Sequence, residues 1–364
     1  MRELDRIRHA LAAAAARNES AVLVTVLGVE GSVYRGAGAR MVITAGAETV
    51  GAVSGGCLEA DIIARAPGVI TVGKAELTRY DTRASDDVVL GLGLGCQGII
   101  DLLLEPLSGA ALRDAAQFYE RLATRRETVT LVTLLRAHGD DPPVGTHLVL
   151  DEKGDVLEGD KRLLARTSDV ARELVQPATL LVVCGGGTDA IPLVRLAKLL
   201  GWHVTVVDHR TTFLTRERFP DADALVGVNA ANDDTALAQV ALDSRTVGVV
   251  MAHSASHDRA YLHALLDAGA TYIGVLGPRR RTLELLGARA ADGELPDVVH
   301  APVGLDLGAE SPEEIALAIV AEIAAVRAGR HGGLLRDRGG PIHDRSRSNS
   351  AITPGELHAH RTGT

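Results

Sequence analysis

Two cysteines in glycine-rich segments carry the most unusual chemistry of this chain. Cys57 stands in SGGCLE, between an expected strand and an expected helix, and Cys96 stands in GLGLGCQG, just before an expected strand. Backbone N–H groups at a helix start favour a thiolate and can bind an anion, and glycines leave room for a bulky ligand. The two loops could therefore converge on one anionic, thiophilic group. The alternative is that both cysteines are buried spacers in tight turns.

The spacing disfavours other uses of these thiols. Neither loop has a C-x-x-C partner or nearby paired histidines, as a structural zinc site would require. The sequence contains no recognisable arrangement of Ser, His and Asp, or of Cys and His, that is typical of a hydrolase. The chain has three cysteines, Cys57, Cys96 and Cys184, which is a small and odd number for a disulfide framework.

A nucleotide-binding fingerprint occupies the second half of the chain. The apolar run TLLVVC leads into GGGTDA at 185–190, which fits G-x-G-x-x-A between a strand and a helix. Gly185 would permit the tight turn, Gly187 would let a phosphate approach the backbone, and Ala190 would allow close helix packing. Asp208 ends the next strand about 20 positions later, where an acidic side chain can bind ribose hydroxyls.

Neighbouring residues leave the nature of this ligand open. His209 and Arg210 could accommodate an extra phosphate, so NAD and NADP are both possible, whereas the carboxylate of Asp189 opposes an anion. His253 follows the strand TVGVVMA, at the edge where ligands bind in open parallel sheets. The alternative for the fingerprint is a Rossmann-type fold that binds no nucleotide, in which the glycines only form the turn. The alternative for His253 is a loop histidine exposed to solvent.

Regular alternation of strands and helices surrounds this fingerprint. Such alternation requires parallel strands with right-handed crossovers, and it predicts a Rossmann-type sheet. We expect strands at 179–184, 203–208, 246–252 and 271–276, and helices at 188–200, 232–243, 258–268 and 311–327. The last helix carries a capping signature, with Ser at the cap, Pro first and Glu third.

The first half of the chain predicts a separate α/β domain with a mixed sheet. We expect helices at 2–17, 58–66 and 110–124, and strands at 21–32, 39–45, 49–56, 71–80, 98–107, 128–135 and 146–151. The predicted organisation is an N-terminal domain at 1–155, a linker at 156–178, the Rossmann-type domain at 179–328 and a tail at 329–364. The tail lacks aromatic residues and periodicity, which is typical of disorder.

Composition excludes several functions. The net charge of −9 argues against general nucleic-acid binding, and 46% apolar residues with 2% aromatics suit aliphatic α/β layers. The N-terminal run MRELDRIRHALAAAAA contains charges and no cleavage motif, unlike a signal peptide. No apolar run approaches the roughly 18 residues of a membrane span. We expect a soluble protein of the cytoplasm, without membrane or nucleic-acid partners.

Several segments resemble one known family. GSVYRGAGARMVIT, VSGGCLEADI and GLGLGCQGIIDLLLEP are similar to the N-terminal signature of the XdhC/CoxI family. VTVVDHRTTFLTRERFPDAD, YIGVLGPRRR and HAPVGLDLGAESPEEIALAIVAEI are similar to its C-terminal Rossmann domain. The resemblance covers most of residues 1–330 in the same order.

The resemblance implies an accessory factor for molybdenum hydroxylases such as xanthine dehydrogenase. Such factors bind molybdenum cofactor, keep it while its terminal sulfido ligand is installed, and deliver it to the apoenzyme. It implies a cofactor chaperone without turnover, a homodimer, and two partners, an apo molybdenum hydroxylase and a cysteine desulfurase. A pterin phosphate suits backbone amides, and molybdenum suits a soft thiolate.

The candidate cofactor-binding residues fall into two groups. Those of the N-terminal loops are Ser54, Gly55, Gly56, Cys57, Glu59, Gly93, Gly95, Cys96 and Gln97, with Cys57 and Cys96 as metal ligands. Those of the Rossmann site are Gly185, Gly187, Asp208, Arg210 and His253.

This chain departs from the family pattern at four positions. Thr188 stands where a histidine is usual, and Gln97 replaces a glycine. Ser254 follows His253 where the sequence Thr-His-Asp is commoner, and Pro278 replaces a serine. The chain could serve another hydroxylase or prefer another ligand. Two other functions stay open, namely an NAD(P)-dependent oxidoreductase, although no Tyr-Lys pair accompanies the fingerprint, and a nucleotide-sensing module.

Overall fold

The computed structural model describes residues 3–56, 58–81, 97–228 and 237–339. These residues form two compact units, an N-terminal unit up to Pro177 and a C-terminal unit from Ala178 to Gly339. Within the described ranges, no helix is both long enough and apolar enough to cross a membrane.

The N-terminal unit contains two antiparallel sheets and three helices. Its strands are β1 (Ala21–Ser32), β2 (Arg40–Thr44), β3 (Thr49–Gly51), β4 (Glu76–Asp81), β5 (Gln97–Leu107), β6 (Val129–Leu134), β7 (His147–Leu150), β8 (Val156–Gly159) and β9 (Val170–Val175). Its helices are α1 (Glu3–Ala16), α2 (Glu59–Val72) and α3 (Gly109–Thr124). The sheet orders are β3-β2-β1-β5-β4 and β8-β7-β6-β9. Every described pairing is antiparallel, whereas we predicted a mixed sheet.

The segment predicted as a linker, 156–178, is instead part of the second sheet. Strand β8 pairs with β7, and β9 pairs with β6 from Val170 to Val175. The linker prediction was wrong because both strands are short, and apolar residues do not alternate regularly with polar ones in VLEG and VARELV, so their period-2 pattern is weak.

Alternate residues of β1 point to opposite faces of the five-stranded sheet. Leu23 packs in a cluster with Ile7 of α1 and Leu112 of α3. Val24 packs in a second cluster with Ile62 of α2. Helices therefore cover both faces of this sheet.

The C-terminal unit contains the expected parallel sheet. Its strands are β10 (Leu180–Cys184), β11 (His203–Asp208), β12 (Ala224–Gly227), β13 (Thr246–Val250), β14 (Tyr272–Val275) and β15 (Val299–His300). Its helices are α4 (Ala190–Leu199), α5 (Ala255–Asp267), α6 (Arg279–Leu286) and α7 (Pro312–Arg327). The order is β12-β11-β10-β13-β14-β15, and all described pairings are parallel. The Rossmann-type prediction is confirmed.

Two local predictions for this unit had opposite outcomes. The capping signature is confirmed, since Ser311 accepts a hydrogen bond from the backbone N–H of Glu314 at 3.3 Å and Pro312 begins α7. The helix predicted at 232–243 is wrong in its described part, because 237–240 form a turn without a helix, and 232–236 lie outside the described residues.

Candidate functional site

The carboxyl end of β10 leads directly into the fingerprint turn. Gly185 has φ +129°, and a Cβ there would lie 2.6 Å from the backbone of Met251. Its N–H donates to the carbonyl of Val207 at 2.7 Å. This first glycine is therefore required by the close approach of the chain that follows β13.

Asp208 lies at the end of β11, beside this turn, and is fully buried. Its carboxylate accepts hydrogen bonds from the backbone N–H of Gly186 at 2.6 Å and from the backbone N–H of Arg210 at 2.7 Å. The Arg210 guanidinium adds two more, at 3.0 and 2.9 Å. Burial opposes ionisation, but these hydrogen bonds outweigh it and hold the pKa of Asp208 below its usual value.

The structure thus brings together Gly185, Asp208 and Arg210 of the predicted Rossmann site. Both oxygens of Asp208 are bound within the protein, and the Arg210 guanidinium also lies 4.2 Å from the centroid of the Phe213 ring. A ribose could reach the carboxylate only by replacing Arg210. Ribose binding by Asp208 stays a prediction.

The next part of the turn is more open. No heavy atom lies within 4 Å of a Cβ built on Gly187. Helix α4 begins at Ala190, and within the described chain no acceptor contacts the backbone N–H groups of 187–189. His253 has φ +58°, and its Nε2 lies 3.8 Å from the Asp189 carboxylate. This opening could receive a phosphate, although Asp189 opposes one.

Sequence reasoning missed a buried polar cluster at the same edge. The Tyr261 hydroxyl is buried and has no hydrogen-bond partner among the described residues. Burial, and then the negative charges of Cys184, Asp208 and Asp258 when ionised, raise the pKa of Tyr261. Asp258 is buried as well, accepting from the backbone N–H of Ala252 at 3.0 Å and pairing with an arginine, Arg281. The i, i+3 spacing of Asp258 and Tyr261 on α5 was the available signal.

Two histidines lie over this cluster. The rings of His209 and His257 stack with centroids 3.7 Å apart, and Ser254 Oγ lies 2.8 Å from Nδ1 of His257. Burial, followed by repulsion from His257, lowers the pKa of His209. Cys184, at the end of β10, is fully buried, and burial raises the pKa of its thiol. This thiol packs as a small apolar side chain.

In the N-terminal unit, the chain before α2 is held by two side chains. Ser54 Oγ accepts from the backbone N–H groups of Gly56 and Leu58, at 3.1 and 3.2 Å. Glu59 Oε1 accepts from the backbone N–H groups of Val53 and Ser54, at 3.2 and 2.8 Å, and Ser54 also donates its hydroxyl to Glu59.

This arrangement corrects one expectation. The backbone N–H groups of 53, 54, 56 and 58 are bound by Ser54 and Glu59, so these four are not available to an anion. The same hydrogen bonds outweigh burial and lower the pKa of Glu59. Gly55 approaches the Tyr34 ring, and Gly56 has φ +107° with open space where a Cβ would be. Ser54 and Glu59 fix the loop, and Gly56 leaves room beside it.

The remaining predicted residues are not described. Cys57, Gly93, Gly95 and Cys96 lie outside the described residues. Gln97 begins β5 opposite Ser32, and its side chain is not described. The convergence of the two cysteine loops therefore stays a prediction.

Comparisons with known proteins bear on both units. The model of the XdhC Rossmann domain matches residues 181–323, and the model of the XdhC and CoxI family matches residues 14–81. The chain is 25% identical over 313 residues to a molybdenum cofactor insertion chaperone, PaoD, of Escherichia coli, covering 85% of this chain and 84% of that protein.

A relative and a solved structure extend over nearly the whole described chain. A crystal structure of a xanthine dehydrogenase from Bacillus halodurans has a TM-score of 0.76 and 29% identity, with 91% of this chain and 97% of that one covered. A probable xanthine dehydrogenase subunit from Bacillus subtilis is 32% identical over 324 residues, which span 85% of this chain and 94% of the relative. The chain therefore belongs to the XdhC and CoxI family.

Proposed function

We propose that this protein binds molybdenum cofactor and assists its transfer into a xanthine dehydrogenase-type molybdenum hydroxylase, without turnover of its own. The observation that carries the proposal is similarity over 84% of the length of a molybdenum cofactor insertion chaperone. Similarity over 94% of a probable xanthine dehydrogenase subunit supports the class of client.

The loop before α2 supports a role for thiols. Ser54 and Glu59 bind the backbone on both sides of position 57, which would hold a thiol-bearing turn in one conformation. Gly56 leaves open space beside it. In this proposal Cys57 and Cys96 supply soft sulfur ligands to molybdenum, the cargo. Glycines around both cysteines would admit the bulk of the pterin.

Cofactor analysis of the purified full chain tests this proposal. The protein is isolated from a molybdenum-replete host, and its bound molybdenum and pterin are quantified. We expect near-stoichiometric cofactor in the wild type and at least a tenfold loss in Cys57→Ser and Cys96→Ser, because each removes a metal ligand. Cys184→Ala is the matched control, since that thiol is buried in aliphatic packing.

Two results would contradict the proposal in different ways. Absence of molybdenum and pterin from the wild type would remove cofactor binding altogether. Full retention by both cysteine variants would remove the thiolate ligands while leaving the chaperone role. Addition of the loaded protein to an apo hydroxylase, with recovery of its activity, tests delivery. The cysteine desulfurase partner and the homodimer stay predictions, testable by co-purification and by sedimentation.

The nicotinamide-dependent alternative has less support from the contacts. Asp208, which would bind a ribose, is bound by Arg210 and Gly186 instead. The open backbone at Gly187 still favours some phosphate-bearing ligand, such as the phosphate of the cofactor or a mononucleotide. Titration with NAD, NADP and mononucleotides separates these ligands.

A further inference from the structure

Two imidazole rings meet face to face at the carboxyl edge of the C-terminal sheet. The centroids of the His209 and His257 rings lie 3.7 Å apart, and the angle between the ring planes is 11°. His209 directly follows β11, and His257 lies in the first turn of α5, so the stack joins the segment after β11 to this helix. Neither ring is among the predicted cofactor-binding residues, and the proposed function uses neither.

The stack tolerates one positive charge but not two. Both rings are half-buried, and two imidazolium ions in contact would repel each other with little water between them. A cation in the first turn of a helix is also opposed by the helix dipole, which adds to the cost of charging His257. Protonation of both rings therefore favours their separation.

The charged groups that face His209 act in both directions. Asp208 and Asp258 favour its charged form, whereas Arg210 and His257 oppose it. Burial, and then the repulsion by His257, outweigh the two carboxylates and lower the pKa of His209. The ring is therefore neutral near pH 7, and it gains a proton only under more acidic conditions than an exposed histidine does.

The Nδ1 atom of His209 gives the charged ring a second partner. This atom is buried, has no hydrogen-bond partner among the described residues, and lies 3.4 Å from Oδ1 of Asp208. A proton on His209 would be attracted by this carboxylate while it is repelled by His257. A small shift of the ring toward Asp208 would convert the approach into an ion pair.

The His257 ring, by contrast, is held on its own helix. Ser254 occupies the cap position of α5 and makes no capping hydrogen bond, and its Oγ lies 2.8 Å from Nδ1 of His257 instead. Tyr261, one turn further along α5, has its ring centroid 6.4 Å from that of His257. From α6, Arg281 reaches the cluster and binds Asp258. Repulsion within the stack therefore displaces His209 rather than His257.

We infer that the His209–His257 stack is an acid-sensitive latch. Near neutral pH it holds the segment 209–213 against α5, and protonation of both rings releases this segment. The released His209 ring pairs with Asp208 and weakens the hold of Arg210 on that carboxylate, which Arg210 binds at 3.0 and 2.9 Å. Acid thus remodels the edge of the sheet at which ligands bind in this fold. The inference does not depend on binding of molybdenum cofactor.

Amide hydrogen exchange of the full chain tests the latch. Exchange at 209–213 is followed at about pH 7.5 and at about pH 5, on either side of the ordinary histidine pKa. Each rate is divided by that of an unstructured chain at the same pH, which removes the intrinsic effect of pH. We expect protection at 209–213 to fall roughly tenfold or more on acidification while β10 keeps its protection, because the opening is local.

Two variants keep a ring in the stack and remove one titrating group. In His209→Phe and in His257→Phe, only one ring of the pair can be charged, so each variant should keep its protection at 209–213 at about pH 5. The two changes lie on different elements, so a folding defect in one variant leaves the other as the test. His331→Gln, at an exposed position outside both elements, should open on acidification as the wild type does.

Three results would overturn the inference. The first is equal protection at 209–213 at both pH values in the wild type. The second is acid opening of both phenylalanine variants to the wild-type extent, since another group would then control the segment. The third is a parallel loss of protection in β10, which would indicate unfolding of the whole unit. Each result leaves the proposed function untouched, because bound molybdenum and pterin are measured separately.

Discussion

The carboxylate of Asp208 accepts a hydrogen bond of 2.6 Å from the backbone N–H of Gly186, and this contact joins the end of β11 to the turn after β10. In a dinucleotide site, an acid at this position is expected to face the ribose. Here it stabilises the turn itself. The residue that best matched a ligand-binding motif therefore also supports the turn that carries the motif.

Asp208→Asn should destabilise the C-terminal unit. The substitution leaves Arg210 beside an uncharged partner and weakens the hydrogen bonds that the carboxylate accepts; because the Arg210 side chain is 36% exposed, we expect a loss of about 1–3 kcal/mol rather than that of a fully buried pair. The pKa of Asp208 is lowered in the folded state, so its contribution is present above the usual carboxyl pKa and is lost as pH falls through the folded pKa. Urea denaturation should show a smaller loss of stability on acidification in the variant than in the wild type. Asp189→Asn, on a partly exposed turn, is the control.

Gly185→Ala and Gly187→Ala should differ sharply. A Cβ at Gly185 would lie 2.6 Å from the backbone of Met251 at a positive φ, whereas a Cβ at Gly187 meets nothing within 4 Å. We expect a loss of several kcal/mol for the first and about 1 kcal/mol or less for the second. Thermal unfolding measures both. Equal losses would show that the close approach to Met251 does not determine this glycine.

Ser54→Ala should loosen the loop that precedes α2. It removes the acceptor for the N–H groups of Gly56 and Leu58 and the donor to Glu59, and the net contribution of one such hydrogen bond is about 0.5–1.5 kcal/mol. Amide hydrogen exchange should accelerate at 56–58. If the proposed function is right, bound molybdenum cofactor should fall as well. Ser168→Ala, on an exposed turn, should change neither quantity.

Glu105→Gln should stabilise the ligand-free protein, increasingly with pH. The pKa of Glu105 rises from 4.5 to about 8 on folding. Between these values the unfolded chain loses a proton that the folded chain retains, so wild-type stability falls as pH rises. The variant lacks this term, and the difference in unfolding free energy should grow to a few kcal/mol by about pH 8. A difference that stayed constant with pH would contradict the raised pKa.

Elements with strong periodicity were predictable from the sequence. The runs that form β1, β10 and β11, and the capped helix α7, appear close to their expected bounds. Elements with weak or interrupted patterns were not predictable: α6 begins with three arginines, and β8 and β9 are only four and six residues long, without regular alternation of polar and apolar residues. Helix α2 also continues through Pro67, where we expected it to have ended.

The sites were less predictable, for a physical reason. Motif spacing located Gly185 and Asp208. It could not show that Arg210 would bind the Asp208 carboxylate, because this contact depends on how the chain turns directly after β11. Glu105 carries no motif, and the only signal for Tyr261 is its i, i+3 spacing from Asp258 on α5. Their unpaired polar atoms become unusual only once tertiary packing has buried them.

The buried thiol of Cys184 can be used to measure opening of the C-terminal sheet. A thiol at the end of a central strand, with no exposed surface and a raised pKa, resists alkylation until the strand separates from its neighbours. The rate at which a reagent modifies Cys184 would therefore report how often this unit opens. A ligand that stabilises the closed unit would lower that rate.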